Sequence, residues 1–179
     1  MSNQDYNPSQ ESIQIVDRND VPLTSATRGK MRRQRLIHRA AYILVFNEAG
    51  CLFIQKRTMT KDIYPGYWDL AAGGIVLAEE SYEDAAAREL AEELGVTAGP
   101  LQHLFDQYFE DSSNRVWGRV FSCTHNGPFV LQKEEIEHGH FIPLSDIESL
   151  HEREPFTPDS MPLLKRIPAL RNPKKMSNR

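Results

Sequence analysis

Apolar positions recur along the chain in short alternating or continuous runs, broken by turn residues. Ser12–Asp17 (SIQIVD) alternates like a short strand, with a turn at Asp17–Asp20. Thr24 is placed to cap a basic helix reaching to about Arg35. Arg39–Phe46 is rich in strand formers, turns at Asn47–Gly50 and returns through Cys51–Gln55, which predicts a hairpin. A loop carrying Pro65 and Gly66 leads to a short strand at Trp68–Ala72. The clearest helix is Glu80–Leu94, stopped by Gly95. Leu101–Glu110 and Arg115–Thr124 predict a second hairpin around Asp111–Asn114. His138–Leu144 reads as a further strand, followed by a short helix capped by Ser145. A last helix follows Thr157-Pro158-Asp159 and is interrupted by Pro162 and Pro168. Strands and helices intermix without regular βαβ alternation. That points to an α/β fold with a mixed sheet and helices on both faces.

At 179 residues and 40% hydrophobic, the chain can bury one core, placed at residues 12–171. Residues 1–11 are polar and expected to be disordered, and residues 172–179 form a basic tail. A net charge of −4 argues against polymeric nucleic acid as partner. No apolar run approaches the roughly 20 residues that span a bilayer, and no signal peptide precedes the first strand. A cytoplasmic protein without a membrane partner is expected. Cys51 and Cys123 match neither a disulfide framework nor a zinc spacing and read as reduced core thiols.

The chemistry lies in Gly74–Val96, GIVLAEESYEDAAARELAEELGV. At about 100° per residue, with Glu89 as zero, Glu92 falls near 300° and Glu93 near 40°. Ala87, Leu90, Ala91 and Leu94 fall between about 100° and 200°, an apolar stripe facing away from the carboxylates. Like charges at these spacings repel. The cluster is either an ordinary solvated face or a place where a cation neutralises it. Oxygen-only ligands suit Mg²⁺, with Mn²⁺ able to substitute. Arg88 can pair with Glu80 and hold the preceding loop against the helix.

These residues resemble the Nudix box, G-x5-E-x7-R-E-U-x-E-E-x-G-U with U aliphatic. Every fixed position matches: Gly74, Glu80, Arg88, Glu89, Leu90, Glu92, Glu93, Gly95 and Val96. The resemblance extends over about residues 36–150, taking in a tight turn at Ala72-Gly73-Gly74 and the Glu134–Ile136 segment. It implies a Nudix-type α/β/α sandwich and hydrolysis of a phosphoanhydride in a diphosphate linked to another moiety. By position, Glu89, Glu92 and Glu93 hold the metal, joined by the carbonyl of Gly73, while Arg88 and Glu80 orient them. The general base is Glu89 or one of Glu134 and Glu135.

A second stretch, QKRTMTKDIYPGYWDLAAGG, resembles isopentenyl-diphosphate isomerase, which shares the fold. It implies that Arg57 and Lys61 grip the diphosphate. The isomerase cysteine, however, falls on Ala72 and its metal-binding histidine on Gly74, so a hydrolase is favoured. His38 matches one ligand histidine of the isomerases, its companion falls on Met31, and a structural role is expected. An isomerase-type enzyme and a catalytically silent nucleotide sensor are the alternatives. Tyr64, Tyr67, Trp68, Phe109 and Trp117 could stack on a base or simply pack the core. The small-molecule substrate is not legible beyond its diphosphate, and the chain is compatible with a homodimer.

Overall fold

The computed structural model describes residues 7–97 and 99–171. Ser12–Val16 (β1) pairs antiparallel with Pro22–Thr27 (β2), and Arg28–Gln34 (α1) follows. Then come His38–Phe46 (β3), Leu52–Arg57 (β4), Trp68–Asp69 (β5), Ala72–Ile75 (β6) and Tyr82–Leu94 (α2). Gln102–Glu110 (β7), Arg115–Thr124 (β8), Ile136–Ile142 (β9), Leu144–His151 (α3) and Met161–Arg171 (α4) complete the order.

The sheet is built around β3. It pairs in parallel with β8 from His38↔Val116 to Phe46↔Thr124 and antiparallel with β6 from Ala40↔Ile75 to Ile43↔Ala72. A strand flanked on both edges and covered on both faces must be apolar throughout, which accounts for the unbroken run at its centre. Ala40, Tyr42 and Leu44 face a core shared with Ile147 of α3 and Leu163, Leu164 and Ile167 of α4. Ala41, Ile43 and Val45 face the opposite core, with Ala85, Ala86, Leu90 and Leu94 of α2. Helices therefore cover both faces of a mixed sheet.

Several local expectations are corrected. Thr24 lies inside β2, and the helix cap is Thr27, whose side chain accepts from the Lys30 N–H. The expected first hairpin splays: β3 and β4 meet only at Phe46↔Leu52, because β4 turns away to pair along its length with β9. The strand expected at Trp68–Ala72 divides into β5 and β6, and Gly73 and Gly74 continue β6 rather than forming a tight turn. Ser145 is not the cap: α3 begins at Leu144, its N-cap position is Pro143, and no side chain caps it. Pro162 falls in the first turn of α4, where a missing N–H costs no helical bond, and the helix is assigned continuously to Arg171. Residues 7–11, expected to be disordered, carry a 3-10 turn at Pro8–Gln10, and Arg28 pairs with Glu11 at 3.1 Å. Residues 1–6 and 172–179 lie outside the described residues. No helix among the described residues is long and apolar enough to cross a membrane.

Candidate active site

Helix α2 is capped at its start by Ser81, whose side chain accepts from the Asp84 N–H, and at its end by Gly95 in the left-handed conformation. Its buried face is Tyr82, Ala85, Ala86, Leu90, Glu93 and Leu94. Two consecutive alanines there bring the helix backbone close to β3 and β6. Ala87 and Ala91, expected in the apolar stripe, are exposed. The burial is rotated toward the carboxylates, and Glu93 sits within it at 4% exposure.

Arg88 organises the approach to this helix. Its Nε and Nη2 donate to Glu80 at 2.8 and 3.0 Å, and Nη2 also donates to the Ile75 carbonyl at 3.2 Å. Its Nη1 donates to Glu89 at 2.7 Å and to Glu92 at 3.2 Å. Glu80 in turn accepts from the Leu77 N–H at 3.0 Å. One guanidinium thus ties the end of β6, the loop before α2 and two glutamates together, a bidentate task that lysine could not perform.

Glu93 is held from β4 and β6. Its Oε2 accepts from the Gly73 N–H at 3.0 Å and from Gln55 Nε2 at 3.2 Å, while the same Nε2 donates to the Ala71 carbonyl at 3.1 Å. Gly73 has a φ of 143°, and a Cβ there would lie 2.0 Å from the Ala41 carbonyl oxygen, so only glycine fits. A Cβ on Gly74 would lie 2.4 Å from Glu89 Oε1. The two glycines thus leave room for the two carboxylates against β6. Burial, and next the charge of Glu89, push the Glu93 carboxyl above the usual range. Burial likewise raises Glu89, against the pull of Arg88.

Glu89, Glu92 and Glu93 line a cavity of about 330 Å³ together with Gly73, Arg88, Arg57, Lys61 and Glu135. The three box glutamates, the two cations of the second stretch and one of the two loop glutamates therefore meet there. Glu134 does not line it; its carbonyl accepts from the Thr58 hydroxyl at 2.9 Å. Lys61 Nζ is paired with Glu135, and Arg57 Nη1 stands 3.5 Å from Asp69. Burial, followed by the charge of Arg57, lowers Lys61. Among the described residues no three His, Cys, Asp or Glu side chains stand close enough together to hold a metal ion by themselves. Glu92 is turned to Arg88 and half exposed. A buried carboxylate and a partly buried one that repel each other beside a polar cavity nevertheless suit a divalent cation that takes few protein ligands and completes its shell from water and phosphate.

The cavity also has walls that sequence reasoning missed. Tyr42, Asp69, Asp159, Arg32 and Asn114 line it, and Gln55 supports it from behind. Asp69 carried a signal, as a charge inside the run Trp68–Ala72. Asp159 was legible only as part of a helix start, and Gln55 only as the end of a strand. His38, expected to be structural, is 2% exposed with Nδ1 3.2 Å from the Leu36 carbonyl, and it also lines the cavity.

Comparison with known proteins bears on this geometry. The NUDIX domain model matches residues 36–166. An uncharacterised Nudix hydrolase of Pseudomonas aeruginosa is 46% identical over 159 residues, covering 87% of this chain and 92% of that protein. The uncharacterised Nudix hydrolase YfcD of Escherichia coli is 41% identical over 156 residues, covering 87% of this chain and 86% of its own length. Among solved structures, DR0079 of Deinococcus radiodurans superposes with a TM-score of 0.74 at 23% identity, over 87% of this chain and 98% of that one. A MutT protein of Methanosarcina mazei gives 0.61 at 25% identity, over 73% of this chain and 94% of that one. The mixed sheet between two helical layers is the Nudix fold, and this chain belongs to the Nudix hydrolase family.

Proposed function

We propose that the protein is a Mg²⁺-dependent hydrolase that cleaves a phosphoanhydride bond in a small-molecule diphosphate, with Mn²⁺ able to replace Mg²⁺. The observation that carries this reading is a buried carboxylate, Glu93, beside a partly buried one, Glu89, in one cavity with Arg57 and Lys61. Glu89, Glu92 and Glu93, with the Gly73 carbonyl, would hold the cation. When bound, it supplies Lewis-acid polarisation of the phosphoryl oxygens and offsets the charge that develops there. Arg57 and Lys61 hold the diphosphate oxygens, and Arg88 keeps Glu89 and Glu92 in place. Water attacks phosphorus, the bridging P–O bond breaks toward the leaving phosphate, and a glutamate takes the proton. Glu135 and Glu89 both line the cavity for that last role, and Glu134 does not. Neither cysteine lines it, and Ala72 offers no thiol, which weighs against isomerisation.

Calorimetric titration of Mn²⁺ into the parent and into Glu93→Gln tests the cation site directly. The variant should keep its fold and lose most of the binding signal. Its kcat should fall by a factor on the order of 10² or more, because positioning and charge stabilisation dominate phosphoryl-transfer catalysis. Glu83 is exposed and lies 3.4 Å from Arg119, away from the cavity, so Glu83→Gln should leave kcat nearly unchanged. In ¹⁸O-water the label should enter a phosphate-bearing product. Unaltered Mn²⁺ binding by Glu93→Gln would overturn the assignment.

A further inference from the structure

The chain folds a further wall onto the cavity from upstream of residue 36, where the NUDIX domain match begins. In this segment β1 and α1 enclose a small core of Ile13, Ile15 and Met31. Met31 is the one buried residue of α1, while Arg28 and Arg32, one helical turn apart, both line the cavity. Like charges at this spacing repel. Asp62, next to Lys61 in the loop between β4 and β5, holds the two together: its Oδ2 lies 3.7 Å from Arg28 and 3.4 Å from Arg32. Arg28 also pairs with Glu11 at 3.1 Å. Arg32 Nη1 donates to Asn114 Oδ1 at 3.2 Å, in the turn before β8.

Of the two arginines, Arg32 is the one whose donors the fold does not fully satisfy. Its Nε is buried yet makes no hydrogen bond among the described residues, because Asp62 stands at the limit of range and out of line. Burial lowers its pKa; Asp62 opposes this, and the charges of Arg28 and Arg57 add to it. The charges of Arg57 and Arg28 bear on Lys61 in the same way. Four cations from two segments therefore press on one another around a single cavity. A guanidinium with an unmet buried donor and cationic neighbours is unfavourable by itself. It becomes favourable when an anion able to accept from several donors shares the cavity, and a phosphoryl group is such an anion.

We propose that Arg32 binds the substrate, its guanidinium donating to a phosphoryl oxygen that Arg57 and Lys61 also approach, and that Asp62 positions it for this contact. The proposal rests on the hydrolase reading and adds to it a binding residue from a helix outside the Nudix box. The working site of this chain then extends into the segment before the matched domain.

Calorimetry tests this with methylenediphosphonate, a diphosphate whose bridging oxygen is replaced by carbon, titrated in saturating Mn²⁺. Arg32→Gln should weaken its binding by at least about fivefold, the loss of a charge-assisted hydrogen bond. Arg32→Lys keeps the charge but not the planar fork, and should lose less than Arg32→Gln but at least about threefold. Arg33 is exposed on the same helix and does not line the cavity, so Arg33→Gln should bind as the parent does. Mn²⁺ alone should bind Arg32→Gln at least as tightly as the parent, since a cation has been removed; general damage to the site would weaken it. Should Arg32→Gln fail to fold, Arg32→Lys decides, and parent-like affinity in it would overturn the proposal. A loss below about fivefold in Arg32→Gln, or an equal loss in Arg33→Gln, would overturn it too and leave the hydrolase reading standing. A parent that binds Mn²⁺ but no diphosphonate would remove the diphosphate reading, and this proposal with it.

Discussion

His38 should make the fold sensitive to mild acid, by an amount that can be worked from its surroundings. The ring is 2% exposed on β3, with Nδ1 3.2 Å from the Leu36 carbonyl and a further hydrogen bond to the Arg115 backbone. Burial first, and then the positive charge of Arg32, lower its pKa from 6.5 to about 3, with Arg28 acting in the same sense. The folded protein therefore refuses a proton that the unfolded chain accepts below about pH 6.5. Stability from this residue is complete above that pH and is lost as pH falls toward 3. At 1.36 kcal/mol per unit, the loss is about 2 kcal/mol between pH 8 and pH 5. Glu93 and Asp159, both raised by burial, gain protons on folding in part of the same window and act in the opposite sense. The parent alone is therefore not diagnostic, and the comparison needs His38→Asn, whose amide can still donate toward the Leu36 carbonyl. Urea unfolding followed by tryptophan fluorescence at pH 8, 7, 6 and 5 gives both stabilities. The variant loses ring volume and starts below the parent at pH 8; the gap should then move in its favour by about 2 kcal/mol by pH 5. A gap constant to within about 0.3 kcal/mol across that range would show that the folded protein accommodates the imidazolium, and the reasoning would fail.

Gly74→Ala should separate activity from stability. The new Cβ would meet the Glu89 carboxylate, a flexible group that can swing aside. The urea midpoint should change little while kcat drops on the order of 10². Gln55→Leu keeps the volume but removes both Nε2 donations, so Mn²⁺ affinity measured by calorimetry should weaken about tenfold, as for other residues that orient ligands. An unchanged affinity would show that Gly73 alone holds Glu93. The purified protein should not convert isopentenyl to dimethylallyl diphosphate, and detectable turnover by NMR would contradict the role given to Ala72.

The parts of the fold legible in the sequence were those that local chemistry specifies. The second hairpin and the end of α2 at Gly95 follow from turn residues and hydrophobic pattern alone. What was not legible depended on partners distant in sequence. Nothing in Leu52–Arg57 shows that β4 leaves β3 for β9, because two antiparallel runs joined by a short turn read as a hairpin whichever neighbour they find. Thr24 and Thr27 are both acceptable caps, and the choice between them follows from β2 pairing with β1. The site shows the same division. Its box residues stand in one continuous stretch, whereas Tyr42, Asp69, Asn114 and Asp159 reach the cavity from four separate segments.

The face of α2 shows where pattern reasoning goes astray and why. A helical wheel assigns carboxylates to solvent and alanines to the core, since charges are rarely buried. Here Ala87 and Ala91 are exposed, and Glu93 lies on the buried side beside Ala85 and Ala86. A helix turned this way exchanges the expected apolar stripe for a desolvated carboxylate, which is costly unless something pairs with it. The donors it receives, from Gly73 and Gln55, both engage one oxygen, Oε2. A second carboxylate, Glu89, adds repulsion instead of relief. Folding alone gives no reason to select such an arrangement, because leucine at this position would pack the same space without a buried charge. The arrangement becomes favourable once a cation and an anionic ligand share the cavity. For that reason a violation of the hydrophobic pattern is itself a positive sign of where the chemistry lies.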